Sequence, residues 1–361
     1  MNRRISESDT KNRIVFIDYV RAMAILMVIM CHVLDINCMF WLGYQEMSVA
    51  RQTFLYALLA IGRCGVPLFL LITGYLLLDR DYGDGRWAEF YTKRWLHLLA
   101  VTEIWFMIYE VFSCTVQGNP FCVEDFLLRI LMVQEPVLAH AWYLPMVLKI
   151  YLIIPIISMI LRKLSTKSIF VLVAGILAIN TILQMMSQGS TVITEVASYV
   201  LYLSFVLAGF VIKRFHDNVL KHQPQGKRHI GLALLIICVE IISFVGCEWF
   251  LRRQYQNGDA VSLWYDNIFV VMMAIAVFGG MSLMVSKTES RAVRQLSDDS
   301  FGIYLIHNMI ALTLMGILAS WQISWYVKIV VSYIVILLVS VLLNKAIETI
   351  PYIGKWIVYK K

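Results

Sequence analysis

A chain of 361 residues that is 60% hydrophobic and only 15% charged is far more apolar than a soluble domain, which averages about 45–50% apolar and about 25% charged. The excess falls in blocks of roughly 20 residues, each long enough to cross a bilayer core of about 30 Å, which excludes a soluble enzyme, a disordered chain and a secreted disulfide scaffold. The net charge of +7 reads as membrane topology and not as nucleic-acid binding.

Ten apolar segments follow along the chain, at approximately 14–35, 54–78, 95–116, 142–161, 168–187, 196–212, 229–250, 266–286, 300–320 and 325–347. Their continuous apolarity also disfavours a β-barrel, whose strands alternate in polarity. The polar stretch 118–140 holds a predicted short amphipathic helix around Phe126–Met132. Of the Lys and Arg residues between segments, 22 fall in the loops of one side and 4 in those of the other. The positive-inside rule then places both termini in the cytoplasm. The expected fold class is an all-α polytopic membrane protein of about ten transmembrane helices. It forms a single domain over residues 1–361, with cytoplasmic tails at 1–13 and 348–361. The first apolar block is full length with no small-residue site after it, so no cleavable leader is expected. The seven cysteines show no CxxC pair and no Cys/His metal spacing, so no metal site is predicted. Cys38, Cys114 and Cys122 fall on the outer side, where a disulfide among them is left open. With no Rossmann or phosphate-loop glycine pattern, any chemistry must happen among the helices.

Ionisable groups at bilayer depth are the first functional candidates. Segment one carries Asp18, Arg21 and His32. Eleven positions separate Arg21 from His32, which puts both on one helix face with a rise of roughly 16 Å between them. Asp18 lies one turn before Arg21, within pairing reach. A snorkelling arginine with a satisfied core histidine is the plainer alternative. Segment two carries Arg63 near mid-depth, and Pro67 after it should kink the helix. Glu103 and Glu110 share a face of segment three and are Arg63's natural partners, unless it holds an anion. At the start of segment three, Arg94 and His97 face the same way and suit either phosphate binding or ordinary positive-inside topology. Segment four opens with His140, Trp142 and Tyr143 and continues through Tyr151; the aromatic pair suits an interfacial belt. In segment nine, Ser300, Tyr304 and His307 form a polar stripe that should face the bundle interior.

Four of these stretches, in order, resemble the acyltransferase 3 family of integral-membrane acyltransferases. They are RIVFIDYVRAMAILMVIMCHV with its Arg-x10-His element (Arg21 and His32), RCGVPLFLLITGYLL, HAWYLPMVLKIYLIIPII and SFGIYLIHNMI. The version here looks closer to the stand-alone branch, which resembles surface-polysaccharide and enterobacterial-antigen O-acetyltransferases. The resemblance implies transfer of an acetyl group from cytoplasmic acetyl-CoA to a hydroxyl of a cell-envelope or lipid-linked glycan. It makes His32 the general base, with Arg21 and Asp18 beside it in the catalytic set. Arg94, His97 and Arg63 become the cations for CoA phosphates or a developing oxyanion. Trp142, Tyr151, Tyr304 and His307 line the passage. The family often shows Arg-x-x-Arg at the start of the third helix, where His97 stands here instead of the second arginine. The implied location is the plasma or inner membrane. Acetyl-CoA is a co-substrate with no permanently bound cofactor, and the partners are donor, acceptor glycan and membrane lipid, without nucleic acid. A transporter or permease, or an acyltransferase acting on a non-glycan acceptor, stays open as the alternative.

Overall fold

The computed structural model describes residues 13–38, 48–186, 191–217, 227–257, 263–284 and 290–360, and every regular element among them is a helix. This is what lipid demands, because a spanning segment must satisfy its backbone polar groups internally. In chain order the helices are α1 (Val15–Cys38), α2 (Val49–Arg63), α3 (Gly65–Leu77), α4 (Arg86–Phe90), α5 (Leu96–Val116), α6 (Val123–Ile130) and α7 (Tyr143–Leu161). They continue with α8 (Thr166–Met186), α9 (Thr191–Phe215), α10 (Lys227–Asn257), α11 (Ile268–Met284), α12 (Arg291–Ala319), α13 (Trp325–Glu348) and α14 (Gly354–Ile357). A π-helical turn, Tyr91–Trp95, joins α4 to α5, and a 3-10 turn, Ala139–Trp142, leads into α7.

Eight helical stretches are long and apolar enough to cross a membrane, and two further apolar helices, Thr166–Asn180 and Ile268–Leu283, are shorter. The chain is thus a polytopic membrane protein, and the count of ten spans rests on the two shorter helices. Helix α1 is the axis of the bundle, in contact with α2, α3, α11, α12 and α13. Val20, Ala24, Ile25, Ile29 and Val33 are accordingly buried. Both described ends of the chain lie at one end of the bundle. There Arg13 Nη2 donates to Asp298 Oδ1 at 2.8 Å and Lys360 Nζ to Asp299 Oδ1 at 2.6 Å. We call this the terminal end and its opposite the far end.

The second apolar block crosses as one stretch, Val49–Leu77, interrupted at Cys64. The break comes three residues before Pro67, whose missing N–H leaves the Arg63 carbonyl without its helical donor. Glycines then let α3 and α9 touch along their backbones, as small residues do in membrane interfaces. A Cβ on Gly74 would run into the Val206 carbonyl, and one on Gly209 into the Leu71 carbonyl. Gly209→Val is expected to cost about 1–3 kcal/mol through overpacking, read as a lower melting temperature of the purified protein in detergent. A variant that melts with the wild type would show the two backbones to be farther apart.

The stretch 348–360 packs against the bundle: α14 contacts α5, and Trp105 Nε1 donates to the Ile357 carbonyl at 3.1 Å. Cys114 and Cys122 are free thiols, while the Cys38 side chain lies outside the described residues. The expected amphipathic helix is α6, pinned to α5 by Arg129 Nη1 donating to Glu110 Oε1 at 2.8 Å.

Candidate active site

The candidate residues fall in successive layers from the terminal end toward the far end: the first is formed by α4 and the turns that flank it, and the second by α1, α3, α7 and α12. At the terminal end a cleft of about 330 Å³ is lined by Arg80, Arg86, Lys93 and Arg94 with Asp81 and Glu89 among them. Arg94 stands in the π-helical turn, a distortion that recurs at functional sites. The cleft's own carboxylates occupy part of its charge. Asp81 accepts from Arg86 and pairs with Arg162 at 3.0 Å, and Lys93 pairs with Glu89 at 2.7 Å. The Gly83 backbone N–H first, and then these two arginines, hold the Asp81 carboxyl below its ordinary range, so it stays charged at neutral pH. Farther in, Tyr151 of α7 lies within electrostatic reach of Arg94, Arg21 and Arg80.

The middle layer is apolar. Val28, Val66, Phe69, Tyr143, Phe301 and Tyr304 enclose a cavity of about 30 Å³. Val28 is on the same face of α1 as Arg21 and His32, since positions separated by four or seven residues align.

Above it the third layer gathers three imidazoles. Ring centroids of His32 and His307 are 5.1 Å apart, those of His140 and His307 5.3 Å, and those of His32 and His140 6.2 Å. His307 Nδ1 donates to the Tyr304 carbonyl at 2.6 Å, and Asn308 Nδ2 donates to His140 Nδ1 at 2.8 Å. Tyr304 Oη in turn donates to the His140 carbonyl at 2.7 Å and fixes the 3-10 turn that carries it. Tyr109 packs on the His140 ring, and its hydroxyl donates to the Leu305 carbonyl at 2.8 Å. His32 therefore faces the bundle interior, on one face of α1 with Arg21.

The remaining site expectations are redistributed. Asp18 does not pair with Arg21: it accepts from Arg13 Nε at 2.6 Å and Nη2 at 2.8 Å, and from Ser297 Oγ at 2.8 Å, tying α1 to α12. Arg63 finds neither Glu103 nor Glu110. Its Nη2 donates to Asp35 Oδ1 at 2.9 Å, and its guanidinium lies 4.9 Å over the Trp264 ring. Asp35 is fourteen residues beyond Arg21, about 21 Å along α1. Arg63 thus belongs with His32 on the far-end side and not with the cleft. His97 is taken by the C-terminal stretch, where its Nε2 donates to the Trp356 carbonyl at 3.0 Å. Its ring lies 4.8 Å from Trp356 and 4.5 Å from Tyr359. Trp142 stacks with Tyr202 and Tyr265 at 5.2 and 5.7 Å in a far-end aromatic wall. His140, Asn308, Tyr109 and Asp35 are the residues that sequence reasoning did not assign to the site. His140 stood two positions before the Trp142–Tyr143 pair, but no spacing links it to α1.

Holding the C-terminal stretch is what His97 does here, and its substitution separates that role from ligand binding. His97→Ala is expected to lower stability by about 1–2 kcal/mol through lost ring packing and one lost hydrogen bond, with the KM for an acyl-CoA donor unchanged. A raised KM at unchanged melting temperature would return His97 to the cleft.

Residues 14–345 match the acyltransferase 3 family model, described as an acyltransferase domain. No curated protein and no solved structure matches the chain.

Proposed function

The chain belongs to the acyltransferase 3 family and is a membrane acyltransferase. From that premise we propose that it transfers an acetyl group from acetyl-CoA to a hydroxyl of a cell-surface or lipid-linked glycan. The observation that carries this reading is the set of a basic cleft at the terminal end, formed by α4 and the turns that flank it, a narrow apolar cavity among α1, α3, α7 and α12, and a histidine cluster beyond it. A CoA thioester has that same order: phosphates, an uncharged arm, then the reactive carbonyl.

The cleft's arginines suit phosphate groups, because a guanidinium offers a planar fork of donors and keeps its charge. Arg94 and Arg80 are the residues that would meet the phosphates, with Arg21 next along the path. The positive-inside count puts this end in the cytoplasm, in a ten-span topology, in the plasma or inner membrane. The far end then opens to the envelope, where the acceptor arrives.

His32 takes the part of general base. A neutral imidazole is suited to accepting a hydroxyl proton. As His32 takes that proton, the hydroxyl oxygen attacks the thioester carbon and the carbonyl pair moves onto oxygen. When the carbonyl re-forms, the C–S bond breaks, sulfur leaves with the bonding pair, and the proton passes from His32 to the thiolate. The products are an O-acetyl ester and free CoA.

The test is incubation of the purified protein with radiolabelled acetyl-CoA and a panel of envelope glycans. Label should appear on a glycan and be released by mild base. Label appearing only on peptides, amines or lipids would overturn the glycan acceptor. Solute uptake into proteoliposomes without acetyl-CoA consumption would overturn the enzyme in favour of a permease.

A further inference from the structure

His140 and His307 are only 2% and 0% exposed, and the Nε2 atom of each lacks a hydrogen-bond partner among the described residues. Buried polar atoms are rarely left in that state, and two such atoms beside one residue ask for an explanation. Their hydrogen-bond roles differ. The Tyr304 carbonyl can only accept, so His307 Nδ1 carries that ring's proton and its Nε2 is a bare acceptor. His140 Nδ1 accepts from Asn308, so the proton of that ring sits on Nε2, which is a donor. One buried donor and one buried acceptor therefore flank His32.

His32 and His307 form no hydrogen bond in this arrangement, but their spacing allows one once the rings turn toward each other. An N–H···N hydrogen bond of about 2.9 Å joining two imidazoles puts their centroids about 5 Å apart, and 5.1 Å is the separation found. Hydrogen bonds of this kind are often loose before substrate binds and tighten afterwards. The other charged or titratable groups around His32 are Arg63 with Asp35 and Cys31 on the far-end side, and Tyr304 and Tyr109 behind His140.

Resting on the acyl-transfer reading above, we propose that the three imidazoles work as one unit with roles set by their tautomers. His140 is a second catalytic residue: its Nε2–H holds the thioester carbonyl oxygen as that atom becomes an oxyanion. His307 is a positioning residue: its Nε2 accepts the N–H of His32, which turns the basic nitrogen of His32 toward the acceptor hydroxyl. When His32 takes the hydroxyl proton, the imidazolium N–H leans on His307, whose own Nδ1–H leans on the Tyr304 carbonyl. That chain strengthens as charge develops, which is how linked hydrogen bonds behave. The logic is that of a base oriented by a third group, with a buried imidazole and a carbonyl in place of a carboxylate.

The experiment measures kcat, KM and the pH profile of acetyl transfer in the full-length protein and in His140→Phe, His140→Gln and His307→Phe. His140→Phe should lower kcat about 10²–10³-fold, the loss seen when one oxyanion donor is removed, with the KM for acetyl-CoA and the pH midpoint unmoved. His140→Gln, which restores an N–H, should recover part of that loss. His307→Phe should shift the pH midpoint of kcat/KM. Near-wild-type kcat in His140→Phe, glutamine no better than phenylalanine, or an unmoved midpoint in His307→Phe would each overturn the assignment. Nitrogen NMR of histidine-labelled wild-type protein gives a readout that needs no variant to fold. Nε2–H at His140 and Nδ1–H at His307 are expected, and the reverse tautomers overturn the proposal. A wild type that transfers no acyl group to any acceptor would overturn the acyl-transfer reading itself, while the tautomers would still report on this one.

Discussion

Replacing His32 with alanine is expected to cut acetyl transfer by about 10²–10⁴-fold, the contribution of a well-placed general base, while the protein still folds. Both halves follow from its setting. His32 is half-buried, in contrast to the fully enclosed His140 and His307, and it meets them by ring contact, with no hydrogen bond to another described residue. Its removal therefore strands no buried donor or acceptor, which is the usual route to a large loss of stability. The measurement is single-turnover transfer from labelled acetyl-CoA, run beside size-exclusion chromatography in detergent. An His32→Ala variant with more than a tenth of wild-type turnover would remove this side chain from the reaction and leave His307 as the imidazole able to accept a proton.

Asp299→Ala is expected to have the largest effect on folding, about 3–5 kcal/mol, the cost of breaking a buried ion pair by removing one partner. The Asp299 side chain is 1% exposed and is shared by two ammonium groups, Lys345 at 2.7 Å and Lys360 at 2.6 Å. Glu348 is the other acid of the cluster, 2.8 Å from Lys360. Without Asp299, two partly buried cations compete for that one carboxylate. Burial works against the Lys360 charge, but hydrogen bonds to Asp299 and Glu348 outweigh it and hold the ammonium above the ordinary lysine range. A raised folded-state value gives stability that is complete below the unfolded lysine value of about 10.4 and declines as pH rises through the folded one. The melting temperature of the wild type should thus be insensitive to this cluster between pH 6 and 9 and fall in strong alkali. Thermal unfolding of wild type and Asp299→Ala across that range checks both statements. Equal melting temperatures at pH 7 would show that Lys360 docks without contributing to the fold.

The sequence was most legible where a single helix carries the information. Apolar blocks of spanning length gave the helices, and the spacing of Arg21 and His32 on one face of α1 required no tertiary knowledge. Partner choice was not legible, because it depends on which helices become neighbours. Arg63 needed a carboxylate, but Asp35 comes from α1, twenty-eight positions away. Asp18 looked made for Arg21, one turn along, yet Arg13, just ahead of the same helix, and Ser297 of α12 reach it instead. His97 has the position of a cleft residue, and only the return of the C-terminal stretch shows what occupies it. His140 is the clearest case. Nothing in a lone histidine ahead of an aromatic pair says that Asn308 and Tyr304, some 165 residues later, will orient it.

The enclosure of α1 sets terms for how the protein is made. This helix leaves the ribosome long before two of the helices that surround it, α12 and α13, some 250 residues later in the chain. Until then Asp18 lacks Ser297, and His32 lacks His307, so the segment waits in the translocon or the lipid with its polar stripe unmet. Such a long interval between a segment and its companions slows assembly and exposes the nascent chain to mispairing. Chains arrested ahead of α12 should be retained by membrane chaperones and degraded, and co-expression of the missing C-terminal portion should rescue them.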